Sequence, residues 1–208
     1  MHPSSNSQRR AGAFGARFAA LVVSLCVFGF AAVASAKDFR VKKEWTFPVH
    51  SEGLVAASVD FDNSCQKGCR HPAPHLAKAE VIAKDRTPNS FYVWMFIEDV
   101  KNSKWFSLVT IRRTAHGAHV ELVMVPDKVG AELAKASGLP SEPAFDDCRT
   151  SYDFEEVYDG DTFSKTKVTY WTSIALSGLS AFFGGGVAQS RLEETARSIY
   201  QDLLSVRP

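Results

Sequence analysis

Residues 187–205 carry Ala188, Leu192, Ala196, Ile199 and Leu203 at helical spacing, with Arg191, Glu194, Arg197 and Gln201 on another face. Such a stripe is stable only when a partner surface covers it. Ser190 and Glu193 fit a capping box for this helix. Most of what precedes it alternates at period two, the signature of half-buried strands. The apolar stripe can then be buried only against a sheet. The expected fold is therefore α+β, a curved antiparallel sheet packed against one long C-terminal amphipathic helix.

Two hairpins support that reading. Trp105, Val109 and Ile111 alternate with Phe106, Leu108 and Arg112; Thr114-Ala115-His116-Gly117 makes a turn, and Ala118, Val120, Leu122 and Met124 alternate with His119 and Glu121. In the second hairpin Tyr152, Phe154 and Val157 precede the turn Tyr158-Asp159-Gly160-Asp161, and Val168, Tyr170, Ile174 and Leu176 follow it. An Asp-Gly pair between alternating runs is a strong hairpin signal. Residues 37–47 suit a first, partly exposed strand. LAKAEVIAKD suits another, with Ile82 as the exception to its alternation. Residues 129–140 predict a short helix closed by Gly138 and Pro140. Phe91–Ile97 is an unbroken apolar run whose period does not separate helix from strand. Thr87 as a cap and Pro88 at a first helical position favour helix there.

The N-terminus bears on compartment rather than fold. A basic region ends at Arg17, an apolar run spans Phe18 to Val33, and Ala34-Ser35-Ala36 offers small residues for a signal peptidase. Cleavage after residue 36 leaves 172 residues with 21 basic and 23 acidic side chains. That balance excludes a polybasic nucleic-acid binder and a disordered tail. The expected product is periplasmic or secreted, with no stable membrane insertion. Within it, 37–75 reads as an N-terminal extension and 76–208 as the sheet and helix domain. In an oxidising compartment, Cys65, Cys69 and Cys148 are disulfide candidates. Either Cys65 or Cys69 can bridge to Cys148, or the first two can pair locally across Gly68.

AKAEVIAKDRTP followed by SFYVWMFIEDVKNSKWF resembles the first strand and paired helices of the START/SRPBCC superfamily, the polyketide-cyclase-like helix-grip proteins. The matching features are Pro88, Val93-Trp94, Asp99-Val100 and Trp105. The stretch from SYDFEEVYDGDTFSKTKVTYW to Leu204 resembles that family's last strands and gripping helix. The resemblance covers residues 76–113 and 148–205. The segments 127–147 and 37–75 depart from the pattern; with a strand at Phe91–Ile97, residues 77–125 become a four-strand meander and the helix-grip name fails, while the sheet and terminal helix remain. The resemblance implies a cavity between sheet and C-terminal helix for a small apolar, lipid-like ligand. Candidate lining residues are Trp94, Trp105, Phe154, Tyr170 and Ile174, although for the four aromatic ones ordinary core is the commoner role. It also admits a cyclase or dehydratase type of enzyme on the same scaffold.

Other clusters carry less. Cys65, Cys69, His71 and His75 offer two thiolates and two imidazoles, but C-x3-C-x-H-x3-H is not a usual zinc spacing and disulfide formation competes for the sulfurs. No metal site is assigned, and no motif requires a cofactor. His116 and His119 flank a turn and point to opposite faces of a strand. Asp153, Glu155, Glu156, Asp159 and Asp161 read as solvated strand and turn acids. No elbow serine or phosphate loop is present, so no catalytic residue is assigned.

Overall fold

A computed structural model describes residues 36–65, 71–72, 76–98 and 102–207. The expected export segment, Cys69 and His75 lie outside the described residues. Ala36–Pro208 form one compact unit. Its strands are β1 (Lys37–Phe47), the two-residue β2 (Ser64–Cys65) and β3 (His71–Pro72), β4 (Leu76–Thr87), β5 (Ser90–Ile97), β6 (Ser103–Thr114), β7 (Gly117–Met124), β8 (Asp147–Asp159) and β9 (Thr162–Leu176). The helices are α1 (Ser51–Ser58), α2 (Asp127–Ser137) and α3 (Gly178–Leu204), with a 3-10 turn at Phe61–Asn63.

Seven strands form one antiparallel sheet in the order β1-β9-β8-β7-β6-β5-β4. Both expected hairpins are present, as β6–β7 and β8–β9. β1 is the edge strand beside β9, with Lys37 opposite Leu176 and Phe47 opposite Thr166. Residues 37–47 therefore belong to the main sheet and not to a separate extension.

The helix expected at Phe91–Ile97 is strand β5. Its apolar run is unbroken because both faces are covered. Phe91 and Val93 join the main core, whereas Trp94 joins Ile82, Phe106, Val125 and Leu133 in a second core on the opposite face. α2 covers that second core, burying Leu133. Ile82, the exception to the alternation in β4, is buried there too. The alternating pattern fails locally because this part of the sheet is a filling between two layers.

On the concave side α3 lies along β1 and β9, burying Ala188, Leu192, Ala196 and Leu203. It begins at Gly178, so Ser190 and Glu193 lie inside it and do not cap its start. The helix approaches the sheet closely at Gly185, where an added Cβ would stand 2.9 Å from Phe39 Cζ. α1 lies over β7 and β8 and also touches α3.

The N-terminus of α1 is held by a residue distant in sequence. Glu156 Oε1 accepts hydrogen bonds from the Ser51 N–H at 2.8 Å and the Ser51 hydroxyl at 2.9 Å, with His50 Nδ1 at 3.3 Å. Its other oxygen accepts from the Tyr158 hydroxyl at 2.6 Å. His50 has no side-chain capping bond, so the strand β8 carboxylate takes the role of the missing cap. Glu156 is therefore not the solvated acid expected from sequence: its side chain is 10% exposed.

Cys148 is a free thiol, so the bridge from Cys65 or Cys69 to Cys148 is not formed. The local Cys65–Cys69 alternative lies outside the described residues.

Candidate ligand-binding cleft

The concave face is divided by what fills it. Near β1, β8 and β9 it is occupied by rings. Trp45 stacks on Tyr170 with centroids 5.5 Å apart, Tyr170 meets Tyr152 at 5.2 Å, and Tyr152 stacks on Phe154 at 5.9 Å. Tyr200 of α3 adds a tilted contact to Trp45 and another to Phe47. Burial pushes the Tyr152 hydroxyl well above its ordinary range, reinforced by Tyr170 and Asp202. Burial likewise raises Tyr170, although a hydrogen bond with Thr172 works against the rise. Both phenols are neutral at any physiological pH.

Away from this ring cluster a cleft of about 1140 Å³ remains, partly open to solvent. Its walls come from three places. β4, β5 and β6 contribute Val81, Phe91 and Ile111; α1 and the residues after it contribute Gly53, Val55 and Val59; the tail beyond α3 contributes Val206. Val55, Phe91 and Ile111 are buried, each showing the cleft less than a tenth of its surface. A concavity of this size with apolar side chains at its base and polar groups around them has the general form of a small-molecule site. Gly53 brings α1 close to the chain end, since a Cβ there would stand 3.1 Å from Val206 Cγ1.

The polar part of the lining is mostly charged: Asp60 and Asp62 at the 3-10 turn, and Arg86, Arg113 and Arg207 from β4, β6 and the C-terminal tail. Asn63 donates to Asp60 at 2.8 and 3.0 Å. Among the described residues no group of three or more His, Cys, Asp or Glu side chains is placed to hold a metal ion.

Of the five residues proposed from sequence, Trp94 lies on the opposite face of the sheet, its indole N–H donating to the Pro140 carbonyl at 2.8 Å. Phe154 and Tyr170 sit in the ring cluster, and Ile174 packs at its margin. Trp105 is buried against Phe145 at 4.8 Å and donates to the Ser107 hydroxyl at 3.1 Å. Four of the five share the concave side, yet none lines the cleft. Val81 and Ile111 are visible in the sequence as inward positions of strands, whereas Phe91 lies in the run expected to be helical. Val55 and Val206 carry no signal, because α1 is too short for its period to stand out.

His119 and Asp153 form a cross-strand pair at 2.6 Å on the outer face, and the His116 ring meets Tyr158 at 5.5 Å. Neither histidine reaches the cleft. Burial, reinforced by Asp147, pushes the Cys148 thiol up to about 12.

No family model matches the chain, and no curated protein matches it. Solved structures do. The TTHA0849 protein of Thermus thermophilus aligns with a TM-score of 0.53 at 14% identity, over 81% of this chain and 99% of that one. Truncated norcoclaurine synthase from Thalictrum flavum aligns with a TM-score of 0.50 at 8% identity, over 83% and 98%. A START superfamily protein from Mycobacterium smegmatis aligns with a TM-score of 0.47 at 11% identity, over 79% and 94%. At 14% and 8% identity the first two likenesses speak for fold alone. The seven-stranded antiparallel sheet gripped by a C-terminal helix is the helix-grip fold implied by the sequence resemblance. The name survives a strand at Phe91–Ile97 because the short helices follow β1, at Ser51–Ser58 and Phe61–Asn63, and not β4.

Proposed function

We propose that this helix-grip domain is an exported protein that binds and carries a small apolar molecule, held in the cleft between β4–β6, α1 and the end of α3. The observation that carries the reading is the apolar floor of Val55, Val81, Phe91 and Ile111 beneath an opening of about 1140 Å³. Burying about 300 Å² of apolar ligand surface there is worth at most about 7 kcal/mol before ordering costs. That magnitude suits reversible, micromolar binding. Export rests on the N-terminal basic and apolar segments and on Ala34-Ser35-Ala36. Among the described residues no helix is long and apolar enough to cross a membrane.

The test is a titration of the mature protein with fluorescent fatty acids, sterols and quinones, beside a Val81→Trp variant. Saturable binding that the variant loses at an unchanged unfolding midpoint is the expected result. A mature protein that takes up none of the panel, and yields no apolar molecule on solvent extraction, would refute the reading.

A further inference from the structure

Three arginines from three separate elements line the cleft. Arg86 comes from β4, Arg113 from the end of β6 and Arg207 from the tail beyond α3. Arg86 and Arg207 have no hydrogen bond or ion pair among the described residues. Arg113 donates to the Asn89 side-chain carbonyl at 2.6 Å, a neutral partner that orients it and leaves its charge uncompensated. Like charges gathered beside a low-dielectric wall repel, and an anion placed among them relieves that repulsion.

The backbone is irregular where it delivers Arg86. In the β4–β5 ladder Ile82 faces Tyr92 and Thr87 faces Ser90, so residues 83–86 stand opposite Phe91 alone. Asp85 within this bulge has φ 55°, a left-handed conformation that aspartate tolerates better than most residues. A bulge re-aims the side chains that it carries. Here the bulge carries Arg86, which lines the cleft as Phe91 does. Asp60 and Asp62 line the same cleft, at the 3-10 turn whose Phe61 meets Phe91 at 6.3 Å.

We infer that the guest is amphiphilic: an apolar body on the Val81–Phe91–Ile111 floor, ended by an anionic group that Arg86, Arg113 and Arg207 receive. Guanidinium binds carboxylate and phosphate alike through paired N–H donors. The inference deepens the proposed carrier reading and rests on it.

The experiment compares dodecanoate, dodecyl phosphate and 1-dodecanol by calorimetric titration below their aggregation concentrations, with wild type and an Arg86→Gln, Arg113→Gln, Arg207→Gln variant whose unfolding midpoint is checked first. The expected result is tighter binding of the anions than of the alcohol by roughly tenfold or more at low salt, a gap that narrows in about 0.5 M salt and closes in the variant, which keeps its affinity for 1-dodecanol. The tighter of the two anions identifies the head group. If the triple variant fails to fold, the three single variants carry the test, each expected to lose about twofold to fivefold for the anions only. Equal wild-type affinity for all three compounds overturns the inference and leaves the apolar carrier intact. Absence of binding by any of them overturns the carrier reading itself.

Discussion

Replacing Glu156 by glutamine tests whether the cleft's α1 wall is fastened by a carboxylate. Burial works against ionisation of this group. Hydrogen bonds from Tyr158, Ser51 and His50 nevertheless bring it from 4.5 down to about 2. A folded value below the unfolded one means that the stabilisation is complete above about pH 4.5 and lost as pH falls through about 2. The interval corresponds to about 3 kcal/mol at roughly 1.4 kcal/mol for each decade. The open, His50 side of the site lets water screen part of that, leaving about 2 kcal/mol. Glutamine keeps one acceptor oxygen but neither the charge nor the second acceptor. At pH 7 thermal unfolding of Glu156→Gln should start from a midpoint lower by about 4–8 °C. Between pH 5 and pH 2 wild type should lose stability faster, so that the two curves converge in acid. Curves that remain parallel down to pH 2, or coincide at pH 7, would refute the reasoning.

Two further outcomes follow from local geometry. Cys148, half-buried and with its thiol pushed up to about 12, holds roughly one thiolate in ten thousand at pH 8; peptide mapping after iodoacetamide should find it labelled far more slowly in native than in denatured protein, and equal rates would contradict the burial of its sulfur. Gly117→Ala should cost about 2–4 kcal/mol, because a Cβ there would stand 1.9 Å from the Phe154 carbonyl oxygen; a denaturation midpoint matching wild type would mean that β7 and β8 do not meet as closely as described.

Much of the sheet is legible in the sequence because its inward and outward sides differ in polarity. Around Trp105–Met124 and Tyr152–Leu176 alternation identifies both hairpins, and the stripe Ala188–Leu203 identifies the gripping helix. Legibility fails where that contrast disappears. β5 is covered on both faces, so Phe91–Ile97 loses its period and Trp94 is assigned to a cavity that it does not face. The start of α3 is missed because three consecutive glycines look like a break, although the helix runs through them. Glu156 shows the reverse error. Its parity with Tyr152 and Phe154 places it inward, but its charge suggests a solvated position; only the donors of α1, more than a hundred residues away, reconcile the two. The three arginines that line the cleft cannot be grouped from sequence, because a bulge, a hairpin end and the tail after α3 carry them.

The layer formed by α2 on the outside of β4–β6 has a mechanical consequence for how a guest enters. These strands are clamped from both sides, by Val93 and Val109 within and by Phe106 and Leu133 without, and close packing on two faces leaves a strand no direction in which to bow. Widening must therefore come from the roof. α1 is two turns long and secured through Ser51, and the chain end rests on Gly53 through Val206. On the carrier reading proposed above, a guest would enter and leave by a lifting of that short roof from a stationary bench, and the rate of exchange should follow the grip of the Ser51 fastening rather than any breathing of the strands.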